Sequence, residues 1–230
     1  AAGTSRASVG YGERPVFPHA ATVDLLIWIH GDEVRIAAPS AVGLTLEPSV
    51  DRGRQIGVAD PGAQAWQSVG DRNVAQVAFL RAVVGSSAQL LGLSATMLDM
   101  TVEYVKTRKQ FGVPVGSFQA IKHHLADALG ALEFARPMVW RAAWTLDHDG
   151  AEAEVAASSA LHFAGEAANT ISKIALQCHG AIGYTTEYDL HLYMKRAWAL
   201  SRAFGDPASH RRRLAELVLD GPQHMYTGGL

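Results

Sequence analysis

Two patterns of apolar and polar positions follow one another along the chain and meet near residue 70. Before that point the apolar runs are short and most of the prolines fall there, each removing a backbone donor and fixing φ. Residues 23–29 (VDLLIWI) are rich in β-branched and aromatic side chains. His30-Gly31-Asp32-Glu33 reads as a turn and 34–38 as the returning strand. Residues 44–46 and 56–58 are weaker strand candidates. Several short strands do not readily close a core, so 1–69 reads as part of a β-domain. After it the period becomes helical. A first helix is predicted over 71–109; it lacks proline and is apolar on most faces, the pattern of a buried helix. A second runs over 118–148 with Pro137 inside it, where a kink is expected, and stops at Asp149-Gly150. An alanine-rich third covers 151–178 and ends at Gly180 and Gly183; a fourth covers 189–204 and a short fifth 208–219. Long helices with short links predict a mainly α fold, an antiparallel four-helix bundle over 70–220 behind a partial small β-domain. The glycine-containing stretch 221–230 reads as a flexible tail.

The chemistry concentrates at the link between the first two helices. Lys106, Arg108 and Lys109 suit the negative end of a helix dipole. Gly112, Pro114 and Gly116 then stop the helix, and Ser117 is placed to cap the next one. Arg108, Gln110 and Phe111 therefore sit at one helix end and Gln119 in the first turn of the next. A guanidinium fork, a flat ring and amides at one corner suit an anionic ligand with a planar part, such as a dinucleotide. On spacing alone, a polar helix hairpin with a solvated arginine fits equally well. The second segment is Gln177-Cys178-His179-Gly180-Ala181-Ile182-Gly183-Tyr184. Two glycines at a helix end let a backbone pass close to a ligand, although an ordinary glycine helix stop has the same form. In the middle of the first helix, Gly85-Ser86-Ser87-Ala88 would let another helix approach closely.

Composition narrows the classes. The chain has 230 residues, nearly half apolar and under a fifth charged, enough for a sizeable core. A net charge of −2 gives no general attraction to nucleic acid. The single cysteine, Cys178, allows no intrachain disulfide and suits a reducing cytoplasm. No apolar export signal opens the sequence. Residues 74–100 are long enough to cross a bilayer, but Arg81 and Asp99 oppose a membrane span. No Glu has a His three residues on, which excludes a ferritin-like di-iron bundle, and no metal site is expected. His123 and His124 point to different helix faces, and Arg211 to Arg213 read as a solvated helix face.

The string R-x-Q-F-G followed by F-Q-x-x-x-H-x-L-A-D resembles the C-terminal domain of the acyl-CoA dehydrogenase family. The segment around Gln177 is similar to that family's Q-x-x-G-G-x-G-[YF], with Ala181 in place of the second glycine. The helix around Tyr188 and Phe204-Gly205-Asp206-Pro207 resemble a bacterial branch, including members that act on steroid side-chain CoA esters. More faintly, 17–26 resembles the family's strand leaving the β-domain, and Asp51 to Arg54 its D-x-x-R turn. The resemblance implies that Arg108 and Gln119 hold the FAD of a neighbouring subunit. It also implies that Gln110, Phe111 and the run Gln177, Cys178, His179, Gly180 and Ala181 contribute to that site. It further implies α,β-desaturation of an acyl-CoA, with a Glu taking the α proton and FAD a hydride. Both positions where the family carries that Glu are empty: Phe204 stands at one and Leu80-Arg81-Ala82-Val83 at the other. The chain also begins where the latter half of the family's β-domain would stand. The expectation is a non-catalytic partner of a full-length acyl-CoA dehydrogenase subunit in an obligate, α2β2-like hetero-oligomer, or a fragment of a longer chain. A self-sufficient enzyme with its base elsewhere and a purely structural bundle remain open.

Overall fold

The computed structural model describes residues 3–148 and 150–219, so the expected tail over 221–230 lies outside the described residues. The chain forms two compact units, 1–82 and 83–230.

The first unit holds two small sheets. One has the order β1 (Ala7–Tyr11), β3 (Leu25–His30), β4 (Glu33–Ala37) and β7 (Gln67–Gly70); the other has the order β2 (Val16–Pro18), β6 (Ile56–Val58) and β5 (Thr45–Glu47). β1 runs parallel to β3, and the remaining pairs are antiparallel. The predicted hairpin is β3–β4. His30 pairs with Glu33, and Gly31 takes the positive φ (55°) that a two-residue hairpin loop requires. The stretch 17–26 is not one strand. His19 turns left-handed after β2 and a 3-10 turn, Ala20–Thr22, precedes β3. Phe17, Leu26, Trp28 and Val42 form the core between the sheets. The indole of Trp28 keeps its N–H satisfied by donating to the Gly12 carbonyl at 2.8 Å.

α1 (Arg72–Thr107) begins in the first unit and continues through the second. It is apolar and long enough to cross a bilayer, yet half of its most apolar window is buried inside the protein. The second unit is built around α3 (Ala153–His179), whose small side chains let neighbours approach closely. Met97 on α1 contacts Ser172 and Tyr104 contacts His179, both at an offset of 75 residues, so α1 and α3 run parallel. α2 (Gln119–His148) packs against α3 and passes Pro137 without interruption. Arg141 of α2 pairs with Glu152 at 3.0 Å across the turn into α3. α4 (Leu190–Leu200) ends four residues short of its predicted limit, which leaves, among the described residues, three long α-helices and two short ones. α5 (Pro207–Leu219) docks on α3 where Gly165 leaves room for the Pro207 ring. An Arg213–Glu154 ion pair, and a His162 Nδ1–Pro207 carbonyl bond of 3.0 Å, hold it there. In the Gly85-Ser86-Ser87-Ala88 segment, Ser86 and Ser87 are buried, while among the described residues nothing lies within 4 Å of where a Gly85 Cβ would be.

Candidate functional site at one end of the helical unit

Parallel α1 and α3, with α2 antiparallel, bring the C-terminal ends of α1 and α3 and the start of α2 to the same end of the unit. Arg108 is the first residue beyond α1. Its N–H bonds the Tyr104 carbonyl at 2.9 Å, and its guanidinium has no partner among the described residues. A two-pair hairpin follows, β8 (Lys109–Gln110) against β9 (Val113–Pro114), where the sequence predicts only a break. Its two loop residues, Phe111 and Gly112, both have positive φ, 53° and 81°. That turn favours Asn-Gly; a phenylalanine there is strained by roughly 1–2 kcal/mol. The ring so held is 92% exposed, with Phe118 edge-on at 6.3 Å.

Ser117 does not cap α2. It belongs to a 3-10 turn (Val115–Ser117), and its hydroxyl donates back to the Pro114 carbonyl at 2.7 Å. Phe118 takes the capping position instead, its carbonyl accepting the N–H groups of Ile121 and Lys122. Gly116 is required because a Cβ would lie 3.0 Å from the Val105 carbonyl oxygen. Gln110 and Gln119 are exposed at this end.

At the end of α3, Gln177, Gly180 and Ala181 are exposed, and Gly180 is left-handed (φ 61°). Cys178 and His179 turn inward, 7% and 3% exposed. A ligand here can meet these two residues only through their backbone. The His179 ring packs against both Tyr104 and Tyr188, with centroids 4.4 and 4.8 Å away, and the Tyr104 hydroxyl donates to the His179 carbonyl at 3.3 Å. This ring stack joins the two sequence segments. Partners 75 residues apart leave no local signal, so sequence reasoning passed over it. Burial pushes the Cys178 thiol up and keeps it protonated, which removes it as a nucleophile. Beside the stack, a cavity of about 190 Å³ between Leu176, Thr185, Met194 and Trp198 is smaller than an ordinary ligand pocket.

Burial also lowers His179 and His210, opposed in each by a backbone bond, to the Ala175 carbonyl and the Phe204 carbonyl respectively. A histidine depressed in the folded state contributes stability that is complete above its unfolded value, about 6.5, and lost as pH falls toward the folded value. Thermal stability should therefore decline from about pH 6.5 downward, by at most about 1.4 kcal/mol per unit for each histidine. Melting followed by circular dichroism between pH 8 and 5 tests this, and His210→Gln should flatten the slope. A melting temperature independent of pH over that range contradicts it.

The profile described as "Acyl-CoA dehydrogenase, C-terminal domain" matches residues 72–219, well over half of the chain. The chain belongs to the acyl-CoA dehydrogenase family. It is 37% identical over 170 residues to acyl-CoA dehydrogenase IpdE2 of Mycolicibacterium smegmatis, covering 73% of this chain and 50% of that relative. The ChsE4-ChsE5 complex from Mycobacterium tuberculosis contains a chain of the same fold, with a TM-score of 0.81 and 25% identity, over 96% of this chain and 64% of that one. The glutaryl-coenzyme A dehydrogenase glutaryl-CoA complex matches in fold alone, with a TM-score of 0.79 and 20% identity, over 96% of this chain and 63% of that one. The chain thus spans about half the length of the acyl-CoA dehydrogenase IpdE2 it matches.

Proposed function

We propose that this chain is part of a subunit of an FAD-dependent acyl-CoA dehydrogenase, and that it completes the FAD site of a full-length partner subunit in a hetero-oligomer. One observation carries the reading: a strained, almost fully exposed Phe111 ring stands at the tip of the hairpin that directly follows Arg108, whose guanidinium has no partner among the described residues. Backbone strain is retained where function needs the geometry, and a bare aromatic together with a free fork of donors fits a planar ring joined to phosphates. Left-handed Gly180 admits close backbone contact, and the exposed amides of Gln119 and Gln177 supply neutral donors and acceptors. When bound, FAD would supply the hydride acceptor; this chain's residues would hold and orient it. The similarity to a chain of the ChsE4-ChsE5 complex supports pairing of unlike subunits.

Arg108→Ala, made in the assembled complex, removes a charge-assisted bond worth about 1.5–3 kcal/mol. Flavin affinity should fall about tenfold or more with the helical circular dichroism unchanged. Flavin occupancy equal to wild type would sink the assignment. Phe111→Asn gives a distinct signature, because asparagine tolerates the left-handed turn. The free chain should gain about 1 kcal/mol in stability while the complex loses flavin affinity. A variant that is more stable and binds flavin as before would leave the ring without a role.

A further inference from the structure

We propose a second binding site, in the first unit, for a small phosphate-bearing anion. A cavity of about 670 Å³ opens just past the end of the β2–β6 ladder, between His19 and Thr22 on one side and the β5–β6 loop on the other. The two walls are tied together by the His19 N–H, which donates to the Gln55 carbonyl at 2.6 Å. Part of the polar lining is already engaged. Thr22 Oγ1 donates to the His19 carbonyl, and Ser49 Oγ accepts the Asp51 N–H. Glu47, the acidic residue of the lining, is neutralised by Arg14 at 2.6 Å. What remains free is the Arg52 guanidinium, the His19 imidazole and the Gln55 amide, none with a side-chain partner among the described residues. The balance of charge is positive, and every free group can donate a hydrogen bond. His19 is a non-glycine residue in the left-handed region (φ 56°), a conformation that costs free energy and sets its ring at this wall. Arginine with neutral donors in a concave site matches phosphate oxygens.

Isothermal titration of the full chain with inorganic pyrophosphate tests the charge, and with ADP the room for a nucleoside. Pyrophosphate should bind, and Arg52→Gln should weaken it about tenfold or more. His19→Gly keeps the left-handed backbone and should also weaken binding. Lys173→Gln, which removes an exposed cation on α3, should leave it unchanged. ADP competing for the same site would identify a nucleotide pocket, and pyrophosphate binding alone a simple anion site; either supports the proposal. Absence of pyrophosphate binding by the wild-type chain, or equal losses in Arg52→Gln and Lys173→Gln, would overturn it.

Discussion

Gly165→Val should unseat α5 from α3 and cost the helical unit about 1–3 kcal/mol, the range for overpacking a filled interior. Glycine inside a helix is ordinarily a weakness of roughly 0.5–1 kcal/mol relative to alanine, so a side chain there would be expected to help. At Gly165 the sign reverses. A Cβ would lie 2.6 Å from Cγ of Pro207 and 3.6 Å from its Cβ and Cδ. Pro207 is a rigid, buried ring at the first turn of α5, so it cannot swing aside as a flexible side chain would. The bonds His162 to Pro207 and Arg213 to Glu154 depend on the same seating. Gly92→Ala is the matched comparison, since nothing lies within 4 Å of its Cβ position; it should stabilise the free chain by about 0.5–1 kcal/mol. Urea unfolding of Gly165→Ala, Gly165→Val and Gly92→Ala measures all three. If Gly165→Ala stabilises as much as Gly92→Ala, the packing argument fails.

The long helices were legible because their period repeats over many turns: α1, α2 and α3 begin and end within two residues of the predicted limits. α4 was overextended because Ala203 and Phe204 recur at helical spacing after Leu200, whereas the chain leaves the helix at Ser201 and passes a left-handed Gly205 (φ 94°) before α5. In the first unit, β1 carried no alternation to read. Its buried positions are Ser8 and Gly10, and Gly10 must be small because a Cβ would meet the Val16 carbonyl oxygen at 2.7 Å and the Phe17 ring at 2.8 Å. β7 is exposed and polar at the sheet edge, so burial left no mark on it. At the candidate site, sequence order identified the residues but not their directions. Whether Cys178 and His179 face a ligand or the interior depends on where α1 lies, and that contact spans 75 residues. The positive φ of Phe111 was hidden for the opposite reason: the local rule reserves that position for asparagine or glycine, and the structure breaks the rule there.

On the proposed function, the isolated chain should desaturate no acyl-CoA, and turnover should appear only when the full-length partner subunit is added. A positioned general base contributes about 10²–10⁴-fold, so a chain without one cannot be rescued by good binding alone. Neither place that the family resemblance assigns to the base offers a carboxylate. Phe204 presents a phenyl ring, and its carbonyl is occupied by His210 Nε2 at 2.9 Å. In the other segment Leu80 and Val83 are buried apolar residues, 5% and 0% exposed, and the charged member is Arg81, a cation. Glu187, in the loop after α3, is the nearest substitute. It is exposed, and its own N–H is turned toward Thr185 Oγ1 at 3.3 Å. In the reconstituted complex, Glu187→Gln should keep turnover within a few-fold of wild type. A loss of about a hundredfold or more, with flavin content and assembly intact, would place the base on this chain. Turnover by the isolated, flavin-loaded chain would have the same meaning, because no partner could then be supplying the carboxylate.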